Sequence, residues 1–156
     1  MSKIVKFDTS NKKLHETAME IRKKVFVEEQ KVDISLEIEN EDLCTHFLLY
    51  YRRKPVATAR YRTTEKGIKL ERFAMLKEYR GKGLGNDLLR FVLNDARKKN
   101  RKIYLNAQSQ VTGYYAKFGF VIKGEPFFEA GIEHYLMEYK AINKLDKALE
   151  KAICRR

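Results

Sequence analysis

The sequence predicts a single mixed α/β domain in which a mostly antiparallel sheet is flanked by helices. Three observations carry that prediction. Three strand-like runs separated by short turns lie between Thr45 and Met75, and an amphipathic helical segment followed by a short apolar strand comes after them. The length, 156 residues, suits one hydrophobic core.

The elements follow in order. Met1 to Asp8 looks like an edge strand. Leu14, Ala18, Ile21 and Val25 recur at helical spacing, giving an amphipathic helix over about Asn11 to Glu28, with Asp8, Thr9 and Ser10 as N-cap candidates. Lys31 to Asp42 is acidic and aperiodic, a loop or a short helix. Thr45–Tyr51 and Val56–Arg62 form a hairpin across Arg52 to Pro55, and Ile68–Met75 adds a third antiparallel strand after a turn ending at Gly67. A second helix runs from Gly83 to about Lys99, with Leu84, Leu88, Phe91, Val92 and Ala96 on one face. It leads to the strand Ile103–Ala107, and strand, helix, strand in that order implies a parallel crossover. A brief helix over Val111 to Lys117, the strand Phe120–Ile122 and the strand Tyr135–Tyr139 complete a domain spanning residues 1–140. Leu145, Leu149 and Ala152 mark a C-terminal amphipathic helix over 141–156, packed on that domain or on a partner.

Composition narrows the function. No run approaches the ~18 apolar residues of a membrane span, and the N-terminus lacks a signal peptide's apolar core. Two cysteines, Cys44 and Cys154, make no disulfide framework and no metal-ligand cluster, so a cytoplasmic protein with reduced thiols is expected. The formal charge of +12 draws polyanions: nucleic acid, an anionic membrane or a phosphate-rich cofactor. The run Arg97–Lys102 reads first as a solvated helix end, where cations complement unpaired carbonyls. Charge alone does not make a nucleic-acid binder.

The chemistry concentrates in the loop Arg80-Gly81-Lys82-Gly83-Leu84-Gly85-Asn86, which joins a strand to a helix through three glycines in five positions. Glycines permit unusual backbone angles and close approach of a ligand to the main chain. Successive N–H groups at a helix start form an anion nest, which Arg80 and Lys82 reinforce. A pyrophosphate is the natural guest. The P-loop needs Ser or Thr after Gly-Lys, and here Gly83 follows Lys82. The dinucleotide fingerprint needs a glycine where Leu88 stands.

Arg80-x-x-Gly83-x-Gly85 resembles the pyrophosphate signature of the GNAT superfamily of N-acetyltransferases, and it sits after the third antiparallel strand, as in that family. Gly113-Tyr114-Tyr115-Ala116-Lys117-Phe118-Gly119-Phe120 resembles the family's second block. Gly131 to Met137 and Arg22 to Gln30 are similar to the bacterial ElaA-like and YjcF-like subgroup. The resemblance implies a sheet splayed at a central V-shaped cleft between Glu71–Met75 and Ile103–Ala107. It implies acetyl-coenzyme A as acyl donor, held by Phe73, Ala74 and Met75 along the pantetheine arm and by Arg80 to Asn86 at the pyrophosphate. Asn106, Gln108 and Lys117 would approach the cofactor from the other side.

On this reading an amine attacks the thioester directly in a ternary complex. An amine with pKa near 10.4 must lose a proton at pH 7, a cost of about 4.6 kcal/mol, so a base or a desolvating pocket is needed. Glu29, Glu71, His46 and His134 are candidates for the base. Tyr115 matches the tyrosine that in many family members donates to the leaving sulfur, and Tyr114 reads as packing. Neither cysteine is required as a nucleophile. The acceptor is a primary amine on a small molecule or peptide, its pocket lined by Lys31 to Asp42 and Glu125 to Glu129. Neither nucleic acid nor membrane is expected as a partner, and a homodimer fits the apolar stripe after Lys140. A coenzyme A-binding sensor without turnover, or a basic nucleic-acid module, stands as the alternative.

Overall fold

The computed structural model describes residues 1–33 and 38–140. The helix expected over 141–156 lies outside the described residues. The chain divides into two compact units, Met1–Leu105 and Asn106–Arg156.

In the first unit, β1 (Ser2–Phe7), β2 (Cys44–Tyr51), β3 (Lys54–Thr64) and β4 (Gly67–Met75) pair antiparallel in sequence order. β5 (Ile103–Gln108) then joins β4 in parallel through Ile68↔Ile103, Lys69↔Tyr104 and Leu70↔Leu105. The expected mixed, mostly antiparallel α/β class holds. The β2–β3 turn is Arg52-Arg53, both at positive φ (50° and 68°), which suits the twist of a two-residue hairpin without glycine.

Two helices cover the strands. α1 (Lys12–Arg22) is capped by Asn11, whose side chain accepts from Leu14 N at 3.2 Å, rather than by the residues before it. Asp8 instead forms a local turn with Ser10, accepting its N–H at 2.9 Å. The periodic stretch continues as expected to Glu29, but Lys23–Glu29 winds as a π-helix. Such wider turns are rare and concentrate at functional sites. Ala18, Ile21 and Val25 bury against Phe7, Leu48 and Ala74. α2 (Leu84–Arg97) buries Leu84, Leu88, Leu89, Val92, Leu93 and Ala96, and Phe91 meets Phe47 edge to face at 5.9 Å. Leu48 touches α1's cluster while its neighbour Phe47 touches α2, so the two helices lie on opposite faces of the sheet.

The second unit contains the end of β5, α3 (Thr112–Ala116), β6 (Phe120–Glu129) and β7 (Ile132–Tyr139). β6 and β7 form an antiparallel hairpin turning at Ala130-Gly131, both at positive φ. β6 runs seven residues beyond the Ile122 end expected for it. Lys123-Gly124-Glu125-Pro126 has turn composition, and the ladder absorbs it as an irregularity between Lys123 and Phe127, with Gly124 at φ 80°. Among the described residues no helix is long and apolar enough to cross a membrane.

Candidate active site

β4 carries a local distortion. Thr58 stands opposite Ala74 and Arg60 opposite Glu71, so Arg72 and Phe73 together face Ala59. Arg72 adopts φ 58°, a conformation costing a non-glycine residue about 1–2 kcal/mol. This is a β-bulge, which bends a strand and interrupts its pairing. The parallel ladder to β5 ends at Leu70↔Leu105, two positions before Arg72. Among the described residues the parallel register with β5 covers Ile68 to Leu70, and the segment Glu71–Met75 lies beyond it.

The glycine loop follows directly. Gly81 and Gly83 sit at φ 81° and 80°, and a Cβ at either would meet nothing within 4 Å. The glycines are therefore demanded by backbone conformation and leave open space above the loop. Gly83 caps α2 with no side-chain hydrogen bond, so the first-turn N–H groups of Leu84 and Gly85 are not covered by a cap. N–H groups so placed are the parts from which an anion nest is built. Lys82 is exposed beside it. Arg80 folds back instead of extending: Nε and Nη2 donate to the Met75 carbonyl at 3.0 and 2.8 Å. Nη1 and Nη2 donate to Glu29 at 3.1 and 2.9 Å. Thus Met75, Arg80 and Glu29 are brought together.

Around Glu71 lies a buried ionic network that sequence reasoning missed. Arg22 grips Glu41 in a fork at 2.7 and 2.9 Å, and Arg60 joins Glu41 to Glu71, with Nε donating to Glu71 Oε2 at 2.7 Å. Arg62 and Lys69 reach Glu71 Oε1 at 3.1 and 3.4 Å. Burial opposes ionisation of Glu71, but the charges of Arg60, Lys69, Arg72 and Arg62 outweigh it and hold its carboxyl down at about 2. Glu41 is likewise held at about 2, burial being overcome by hydrogen bonds from Arg22 and His15 and by the charges of Arg22 and Arg60. A carboxylate so tightly held is a poor proton acceptor, which removes Glu71 as the base. His46 is buried, which lowers its pKa, and its Nε2 lies 3.0 Å from the Glu41 carbonyl. His15, Glu41 and His46 bring ligand atoms within 4.8 Å of one another. The two guanidiniums already on Glu41 supply the positive charge there. No spacing in the sequence could have gathered residues 15, 22, 41, 46, 60 and 71. Burial raises the Cys44 thiol to about 11, so it is no nucleophile.

The second unit holds the remaining expected residues. Asn106 Oδ1 is buried without a hydrogen-bond partner among the described residues, an arrangement that costs about 1–3 kcal/mol unless a donor arrives. Gln108 accepts from Gln110 at 2.6 Å, and Lys117 is exposed after α3. Tyr115 packs edge to face on Tyr114 and Phe120, at 5.3 and 6.1 Å. Burial, with a smaller push from Tyr114, lifts its phenol well above the ordinary range, so it stays protonated. His134 stacks on Phe127, and its Nδ1 lies 2.6 Å from the Ile132 carbonyl. A carbonyl only accepts, so Nδ1 carries a hydrogen, and Nε2 lies 3.9 Å from Glu129.

Comparison with known proteins accords with this geometry. The family model described as an acetyltransferase (GNAT) domain matches residues 10–141. The Bacillus subtilis N-acetyltransferase YjcF, itself uncharacterised, is 35% identical over 123 residues, covering 77% of this chain and 88% of that protein. An acyl-CoA N-acyltransferase from Pseudomonas aeruginosa superposes with a TM-score of 0.81 at 25% identity, over 90% of this chain and all of that one. Escherichia coli ElaA shares the fold with a TM-score of 0.78 at 23% identity, over 88% and 99% of the two chains. With the family model covering residues 10–141 and a relative at 35% identity, the chain belongs to the GNAT family of acyl-CoA-dependent acetyltransferases.

Proposed function

We propose that the protein transfers an acetyl group from acetyl-coenzyme A to a primary amine by direct attack in a ternary complex. The observation that carries this reading is the run from the β4 bulge into the N-terminus of α2, which has no side-chain cap, through Gly81 and Gly83 at positive φ. The edge of Phe73, Ala74 and Met75 pairs with the pantetheine arm as an added strand would. Gly81 to Asn86, with Arg80 and Lys82, hold the diphosphate. The orphan Asn106 Oδ1 accepts an amide N–H of the arm, with Gln108 and Lys117 as further donor contacts. When bound, the donor supplies an activated carbonyl and a thiolate leaving group.

In the reaction the amine nitrogen bonds the carbonyl carbon and the carbon–sulfur bond breaks. His134 Nε2 receives the amine proton, the Nδ1–H contact to Ile132 having fixed the tautomer that can. Glu29 is less suited to that task while Arg80 engages both of its oxygens. The protonated Tyr115 phenol donates a hydrogen bond to the sulfur as charge develops. Complete transfer from a phenol of pKa 10 or more to a thiolate near 8.5 is uphill by about 2 kcal/mol, so the thiolate departs hydrogen-bonded and is protonated by solvent. Proximity supplies much of the remaining rate. The acceptor is an amine on a small molecule or peptide.

Calorimetric titration with acetyl-coenzyme A, on wild type and on the Arg80→Ala, Gly83→Val double variant, tests the reading. Binding lost in the double variant, followed by release of free thiol with an amine acceptor, supports it. Absence of wild-type binding at millimolar donor sinks it.

A further inference from the structure

We propose that Glu29 is a built-in competitor for the Arg80 guanidinium, a carboxylate that the donor's diphosphate must displace before it can bind. The proposal rests on the donor site proposed above. Arginine has five N–H donors in a fixed fork. In Arg80, Nε–H and one Nη2–H serve the Met75 carbonyl, while the second Nη2–H and one Nη1–H serve Glu29. Among the described residues one N–H of five is unspent. A phosphate can take the guanidinium in a bidentate fashion only on the edge that Glu29 now occupies.

Both partners are fixed from behind. The Met75 carbonyl ties Arg80 to the end of β4. Glu29 ends the π-helical segment, whose Val25 and Phe26 pack into the cluster with Ala18, Ile21, Leu48 and Ala74. The chain is locked again just past it, with Gln30 N donating to Val25 O at 3.1 Å and Val32 N to Phe26 O at 2.8 Å. The backbone at Glu29 is therefore held, and only its side chain has room to leave. The wide π turn is what aims residue 29 at the loop: an α-helix places successive side chains about 100° apart, and the wider turn changes that phase. The two side chains are 42% and 37% exposed, so the pair is weak enough for a diphosphate to break. Donor binding thus exchanges one anion for another on Arg80 and frees the Glu29 side chain next to the segment that leads into residues 31–33.

The test is a double-mutant cycle with coenzyme A as titrant on wild type, Glu29→Gln, Arg80→Ala and the combination. Glu29→Gln is expected to bind about three- to ten-fold more tightly than wild type, and the gain should vanish in the Arg80→Ala background. If the gain persists without Arg80, Glu29 only repels phosphate at a distance and the competitor is refuted. Equal or weaker binding by Glu29→Gln, with wild-type binding intact, also overturns it while leaving the donor site standing. Failure of both wild type and Glu29→Gln to bind coenzyme A would instead remove the donor site, and the proposal with it. Glu29→Asp controls for folding: it keeps the charge and should bind no more tightly than wild type.

Discussion

Arg60 on β3 stands directly across the ladder from Glu71 on β4, and both are buried where the β4 bulge begins. Its guanidinium also reaches Glu41, so one arginine neutralises two carboxylates. Removing it leaves two buried anions short of a counter-charge, which is far costlier than the pair is worth when intact. Arg60→Ala should lower unfolding stability by about 3–5 kcal/mol, measured by urea denaturation. Lys6→Ala is the contrasting control. Its half-exposed ion pair with Asp95 should cost no more than about 1 kcal/mol.

The same network sets the acid stability. Glu41 and Glu71 titrate at about 2 when folded, against 4.5 as their ordinary value. A depressed folded pKa stabilises the protein above the unfolded pKa. That stability should therefore be full above about pH 5 and be lost as pH falls from 4.5 towards 2. Each carboxylate contributes on the order of 3 kcal/mol, less than additively because they share Arg60. Chemical denaturation at pH 7, 4 and 3 should show the loss, and Glu71→Gln should flatten it.

Two glycines should respond differently to alanine. At Gly67, φ is 130° and an added Cβ would lie 2.2 Å from the Lys102 carbonyl oxygen, which accepts the Ile68 N–H at 2.7 Å. Gly67→Ala must push the β4–β5 ladder apart and should cost more than about 3 kcal/mol. At Gly81 the space is open and only the left-handed backbone is strained, so Gly81→Ala should cost about 1–2 kcal/mol. Thermal unfolding of both variants checks the order.

Tyr115→Phe keeps the ring contacts with Tyr114 and Phe120 and removes only the hydroxyl. Coenzyme A affinity should stay within about two-fold while turnover falls by about 10²-fold or more, read by steady-state kinetics beside calorimetry. Equal turnover would reduce Tyr115 to a packing residue. Cys44→Ala, by contrast, should keep full turnover, because the buried thiol serves no chemical step.

The sequence by itself determined the elements whose periodicity is local. Leu84, Leu88 and Val92 write α2 directly, and Phe47, Leu48 and Leu49 mark a strand buried on both faces. It also marked the anion loop, because Gly81 and Gly83 are backbone requirements that a short spacing displays. Tertiary structure decided the rest. The β4 bulge depends on two residues of one strand facing one of another, and an alternating pattern such as Ile68 to Met75 does not announce it. The Arg22–Glu41–Arg60–Glu71 network joins residues 19 and 11 positions apart through side chains that look individually like surface charges. Glu29 reads in the chain as one more acidic residue near a helix end. Only the π turn, set by the packing of Val25 and Phe26, carries it 51 positions along the chain to Arg80. Local propensity is written in neighbouring residues, whereas charge pairing in a folded protein is written in space.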